Sequence, residues 1–276
     1  MSNPPVNPLS TMSLRSSVPE PASAAQKAAF RAELTAVEQE LQGALSDLYT
    51  PLADLVQGQF QRARPLLRAA LVLAAGVGAS DDERLRQQRL SLAAAQEMLF
   101  IALSIHKLLL TPQPPQPDDQ HKTLMGGIIL TGDYCFSRSA ILAAQTDHVQ
   151  VVELFSQALK AISEGILRNF FADRAATDAT HPTNRATFYD ERQDLFVSGV
   201  QAAAVLAALP PPTRSDLIDF ANFLASQPLP YDPALVTARL SAIRQVTPLQ
   251  AARLFAFGDW LSQEQKTGRQ EDKKTT

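Results

Sequence analysis

The sequence predicts an all-α protein, a single-domain bundle of about ten helices. Three observations carry that expectation. Apolar residues recur three and four positions apart over long stretches, the period of a half-buried helix. β-Branched residues nowhere alternate over the length of a strand, and the chain has only eleven glycines. Prolines and paired aspartates fall between the periodic stretches, where helices start and stop. With 276 residues, 45% of them apolar, one large helical domain is expected to bury about 70% of its unfolded surface.

Residues 1–22 are rich in Ser, Pro and Asn and carry one arginine, with no apolar run long enough for a signal peptide; a disordered tail is expected there. The helical domain is expected over 23–264. Its first helix runs from the Ser23 to Lys27 region to Leu48, with Phe30, Leu34, Val37, Leu41 and Leu45 on one face, and Asp47 and Pro51 punctuate its end. A second helix is expected from Pro65, where proline in a first turn costs little, to Ala75 before Gly76 and Gly78. Asp81 and Asp82 then read as N-cap and first-turn charge for a helix carrying Leu85 through Leu110. Four prolines between Thr111 and Asp119 break it. Further helices are expected over 121–144, 147–172, 187–209, 212–226, 233–245 and 248–263, with a charged, disordered tail over 265–276.

The net charge is −3 and the basic residues are dispersed, so no electrostatic footprint for nucleic acid is present. Cys135 is the single cysteine, which rules out an internal disulfide or a multi-thiolate metal site and fits a reducing, cytoplasmic setting. No run of about 18 apolar residues is uninterrupted, so no transmembrane segment is expected and any membrane association would be peripheral. His106, His121, His148 and His181 show no paired-ligand spacing. No phosphate loop, nucleophile elbow or dinucleotide fingerprint occurs.

Several landmarks follow one another in an informative order. They are Gln61-Arg62-Ala63-Arg64-Pro65-Leu66-Leu67, Glu97, His106, Gly126 to Gly132-Asp133-Tyr134, Leu154-Phe155 to Glu164-Gly165, and Tyr189 before Leu195-Phe196. Together, over roughly Ala29 to Phe257, they resemble the trans-isoprenyl diphosphate synthases, the polyprenyl synthetase family. That resemblance implies an isoprenoid-synthase-like helical bundle and, in its active members, prenyl transfer through Mg²⁺-bound diphosphate.

The family's chemical residues are largely replaced. Of its Gly-Gly-Lys-x-x-Arg-Pro segment, which binds isopentenyl diphosphate, Arg64-Pro65 matches and Arg62 is basic, but Gln61 stands where the family has Lys. Phe100 takes the place of a diphosphate-binding histidine. His106 keeps the register of the first His-Asp-Asp-x-x-Asp motif, while Lys107, Leu108 and Thr111 replace its three aspartates. Glu191 and Arg192 stand in place of a Lys-Thr pair, reversing the charge at the lysine. After Asp219 to Leu224 the chain turns into Ser226-Gln227-Pro228-Leu229-Pro230, where the family has its second aspartate motif. Aspartates one helical turn apart supply the hard oxygen ligands that Mg²⁺ needs, and the metal neutralises the departing diphosphate. Leucine offers no ligand.

The resemblance therefore implies a degenerate relative acting as a non-catalytic or regulatory subunit, a homodimer or a heterodimer with an active prenyl synthase, with no cofactor of its own. Arg62, Arg64, His106 and Lys107 are then vestigial diphosphate contacts. One alternative keeps activity or isoprenoid diphosphate binding: Asp190, Glu191 and Asp194 have Asp-Glu-x-x-Asp spacing and would hold Mg²⁺ as a replacement site, although acids at a helix start are also favoured simply by the dipole. In that reading Arg62, Arg64 and Lys107 meet the phosphates. Another alternative is an unrelated helical interaction protein. In the family fold, the faces comprising Leu99, Leu103, Leu108 to Leu110 and Phe196, Val200 and Ala204 would line the active cavity and dimer region, and a cavity without metal ligands collapses, holds a prenyl chain or survives only as core.

Overall fold

A computed structural model describes residues 22–46, 48–63, 66–110, 118–177 and 189–272. The side chains of 62–63, 172–177 and 267–272 are outside the description, as are the expected N-terminal tail to residue 21 and the proline-rich break over 111–117. Ten α-helices are present among the described residues: α1 (Ala24–Leu45), α2 (Thr50–Ala63), α3 (Leu67–Ala75), α4 (Glu83–Lys107), α5 (Asp119–Ala144), α6 (Val149–Thr177), α7 (Arg192–Leu206), α8 (Pro211–Ser226), α9 (Pro233–Ser241) and α10 (Pro248–Asp272). A 3₁₀ turn, Leu108–Leu110, extends α4. The all-α expectation holds, and the helix starts follow local chemistry. Ser23 closes a capping box with Gln26, and the carboxylates of Asp82, Asp118 and Asp232 accept from the first-turn amides of α4, α5 and α9.

α3 and α4 form the centre. Every residue of α3 is buried, as expected for a helix apolar on all sides. α4 packs against α1, α2, α3, α5 and α7, α10 lies across α1, α3 and α9, and α6, α7 and α8 pack in succession. By length and hydropathy alone, Glu83–Leu110 would cross a bilayer, contrary to the expectation that no segment is long enough. Its position explains the apolarity: it is the core helix, and it carries Arg89 and Glu97 at 0% exposure on its buried faces.

Several helix boundaries differ from those expected, most instructively at α2, α9 and α10. α2 was not anticipated, because Pro51 was read as a stop; it is the second residue of α2, where the missing N–H costs nothing. Val56 and Phe60 from α2 are buried, four apart, on the side facing the core. α9 ends at Ser241 and not at Gln245, whose backbone is left-handed at φ 55°. α10 continues to Asp272, beyond Gln263 and into the segment expected as tail. Its added residues include Glu, Gln, Lys and Arg, all good helix formers that need no buried face. The expected α7 start at Thr187 lies outside the described residues, within which the helix begins at Arg192.

Candidate functional site

The C-terminal end of α4, the start of α7 and the inner side of α8 meet where the sequence places the altered motifs. Glu97, three turns before the end of α4, is fully buried and acts inward. Its Oε2 accepts from Arg68 Nε at 2.7 Å and its Oε1 from the Ala69 amide at 2.9 Å. The carboxylate thus sits at the positive end of α3, whose N-cap Leu66 has no capping side chain. The Arg68 guanidinium carbon also lies 3.6 Å from the centroid of Phe100, the residue standing in place of the family's histidine. Arg68 and Phe100 together fill that position with a packed cation and ring.

His106 and Lys107 are adjacent in sequence but turn to different helices. The His106 ring lies over Gly132 of α5, tilts against Phe136 at 5.1 Å, and brings Nε2 to 3.4 Å from both the Ile129 carbonyl and Asp133 Oδ1. Asp133 itself is exposed. Lys107 points instead to α7, where its ammonium is ion-paired with Glu191 Oε1. His106 and Lys107, both expected as vestigial diphosphate contacts, therefore turn to different partners. Arg64 and the Arg62 side chain, the other expected phosphate contacts, lie outside the described residues.

Asp190, Glu191 and Asp194 are not gathered into a cage. Asp190 bonds Arg192 through its side chain at 2.5 Å and accepts from the Arg192 amide at 3.0 Å; Glu191 takes Lys107; Asp194 accepts from the Tyr189 hydroxyl. Burial works to raise the Asp190 carboxyl, but the Arg192 hydrogen bonds and charge, with the charge of Lys107, hold it below the ordinary carboxylate range. The Tyr189 phenol is pushed up, first by burial and then by the Asp194 carboxylate and its acidic neighbours, so it remains a donor. Each acid is committed to its own partner, and among the described residues no three His, Cys, Asp or Glu side chains are placed to hold a metal ion. The expected replacement metal site is thus not assembled. The helix dipole and the local pairs account for these acids instead.

Beside them an open cleft of about 1090 Å³ is bounded by Tyr189, Asp194, Asp219, Asn222, Phe223 and Arg239. α8 ends at Ser226, so no second acidic turn continues from Asp219. Gln193 bonds Asn222 at 3.0 Å and ties α7 to α8 across the cleft floor.

The face expected to line a cavity is core. Leu99 and Val200 are at 0%, Phe196 at 1%, Ala204 at 0% and Leu103 at 4% exposure. A void able to admit a water-sized probe would give these side chains accessible surface. Leu108 to Leu110 are the exception, lying in the 3₁₀ turn with Leu110 half exposed.

Cys135 is buried in α5, and burial pushes its thiol up to about 12. The native protein is expected to resist alkylation by iodoacetamide at pH 8 and to react once unfolded in urea. Rapid alkylation of the folded protein would show that this face of α5 opens.

No family model matches the chain. A protein named heptaprenyl diphosphate synthase component 2, from Geobacillus stearothermophilus, is 25% identical over 199 residues, 70% of this chain and 60% of that protein. A prenyl transferase from Synechocystis is 25% identical over 171 residues, 60% of this chain and 52% of that protein. The chain thus spans 60% and 52% of the length of these relatives. Among solved structures, a decaprenyl diphosphate synthase from Rhodobacter capsulatus matches with a TM-score of 0.55 at 20% identity, over 78% of this chain and 66% of that one. A heptaprenyl diphosphate synthase from Staphylococcus aureus matches at 0.56 with 17% identity, over 71% and 62%. At such identities the structural likeness establishes the fold, and it removes the alternative of an unrelated helical arrangement.

Proposed function

We propose that this chain, which resembles the trans-isoprenyl diphosphate synthases in sequence and shares their fold, is a non-catalytic component of a prenyl-synthesising assembly, acting on an active synthase subunit. The observation that carries this reading is the Lys107–Glu191 ion pair, which stands at the junction of α4 and α7 where active members hold metal and diphosphate. Lys107 and Leu108 at the end of α4 offer no oxygen ligands for a metal that would neutralise a departing diphosphate, and that charge is the main obstacle to ionising the carbon–oxygen bond. The closed interior around Leu99 and Val200 adds to it, since a growing prenyl chain needs room there.

A partner would meet individual apolar side chains. Leu124, Leu130 and Ile141 of α5 and Val152 of α6 are exposed large apolar side chains on helices at the outside of the bundle. The Geobacillus relative is named as a component, which favours a second synthase chain as that partner. Contact with an active subunit would let this chain adjust its stability or product length without chemistry of its own.

The test is an assay with purified protein, Mg²⁺, radiolabelled isopentenyl diphosphate and a panel of allylic diphosphates. No prenyl product is expected from this chain alone, and an active prenyl synthase is expected to co-purify with it from its native source. Product that disappears in Asp190→Ala and Asp194→Ala would refute the reading and relocate metal chemistry to the start of α7.

A further inference from the structure

Lys107 is the last residue of α4, and Glu191 is the residue immediately before α7. An α-helix carries partial negative charge at its C-terminus and partial positive charge at its N-terminus. The lysine therefore sits at the negative end of one helix and the glutamate at the positive end of the other, and the two charges neutralise each other. In the family's pattern, with an acid at the first position and a lysine at the second, both signs run against the local dipoles. Such an arrangement leaves charge at the junction that a bound cation and anion must balance. The inverted pair requires neither.

The surroundings reinforce the contact. Glu191 is 9% exposed at its side chain and Lys107 41%, so the acid is largely withdrawn from water while the ammonium keeps a partly solvated face. Withdrawn charges depend on their partners far more than exposed ones do. On either side of Glu191, Asp190 holds Arg192 and Tyr189 donates to Asp194, fixing the approach to α7. The Tyr189 ring is seated on Gly165 of α6, where an added Cβ would stand 2.4 Å from ring carbon Cε2. The start of α7 is thereby held to α4 by an ion pair and to α6 by a ring on glycine.

We infer that Lys107 and Glu191 form a self-neutralising latch that keeps the α4–α7 junction closed without metal or diphosphate. Its significance rests on the non-catalytic reading above, but its test does not involve product formation. A working latch in a chain that made prenyl product would defeat that reading alone. An active-looking open junction in a chain that made no product would defeat the latch alone.

The experiment is amide hydrogen exchange on the full chain, read over residues 195–200, the first α7 amides with helical acceptors, for wild type, Lys107→Glu, Glu191→Lys and the double reversal. In the wild type these amides are expected to be protected, and to change little on adding Mg²⁺ with inorganic pyrophosphate. Each single reversal is expected to speed their exchange by about tenfold or more. The double reversal restores the pair but opposes both dipoles, so it is expected to fall between the singles and wild type. Glu191→Gln, which removes the charge and keeps the shape, should accelerate exchange even if a reversal prevents folding. Unprotected wild-type amides, strong added protection from Mg²⁺ and pyrophosphate, or a double reversal equal to the sum of its singles would each overturn the latch.

Discussion

Replacing Arg89 by Met is expected to destabilise the protein by about 3–5 kcal/mol, the cost of stranding buried charges by removing their partner. Arg89 is at 0% exposure and Glu33 at 3%. The guanidinium makes a two-pronged contact with Asp81, NH1 to Oδ1 at 2.6 Å and NH2 to Oδ2 at 3.2 Å. It also donates to Glu33 Oε1 at 3.0 Å and to the Gly76 carbonyl at 3.1 Å. Arg253 of α10 reaches the same Glu33 oxygen at 2.5 Å but stands 3.6 Å from Asp81. Loss of Arg89 leaves Asp81 with a distant cation and the Gly76 carbonyl without its donor; Arg253 still pairs α10 with Glu33 of α1, but α4 keeps only the 3.8 Å approach of Arg86 to that carboxylate. Urea unfolding should show a lower midpoint with unchanged slope. At about 2–4 °C per kcal/mol for a chain of this size, the melting temperature should fall by about 6–20 °C. Arg84→Ala is the control: its pair with Asp147 is 74% and 84% exposed, and its loss should shift stability by less than about 1 kcal/mol. Equal effects from the two substitutions would mean that the buried cluster is not a fastening.

That cluster also marks where sequence reading stops. Asp81 and Asp82 both looked like helix-start charge; Asp82 is the N-cap, accepting from the Leu85 amide at 2.8 Å, whereas Asp81 serves Arg89. Glu33 lies 56 residues from Arg89 and 220 from Arg253, and no local pattern announces a pairing over such distances. Helix faces were legible because periodicity is local: Phe30, Leu34, Val37 and Leu41 are buried as their spacing requires. α2 was hidden by Pro51, since proline in a first turn and proline as a stop have the same letter.

The candidate site divides in the same way. Replacement of the family's aspartates by Lys107, Leu108 and Thr111 was visible one residue at a time. That Lys107 meets Glu191, 84 residues on, emerges only when α4 and α7 are brought together. Read singly, the two residues are a lost acid and a reversed base. In contact they are one exchange of signs, and Glu191 and its acidic neighbours each have a cation or hydroxyl partner of their own.

Gly132→Ala should be destabilising in the wild type and stabilising in a His106→Ala background. Glycine inside a helix ordinarily costs about 1 kcal/mol relative to alanine, so the substitution ought to help unless something occupies the space. Here the His106 ring occupies it: a Cβ on Gly132 would stand 2.2 Å from Nε2 and 2.3 Å from Cδ2. Admitting the methyl group would force the ring off α5, break its 5.1 Å packing on Phe136 and separate α4 from α5, an overpacking cost of about 1–3 kcal/mol. Once His106 is alanine the obstruction is gone and helix propensity decides, so the second substitution should gain up to about 1 kcal/mol. Thermal unfolding of the two single variants and the double measures this as a coupling between contacting residues. Additive effects, or a Gly132→Ala protein as stable as wild type, would show that the histidine is not seated on the glycine. The reversal of sign is expected because His106 in this chain is a packing residue between two helices, turned away from the junction that Lys107 and Glu191 close.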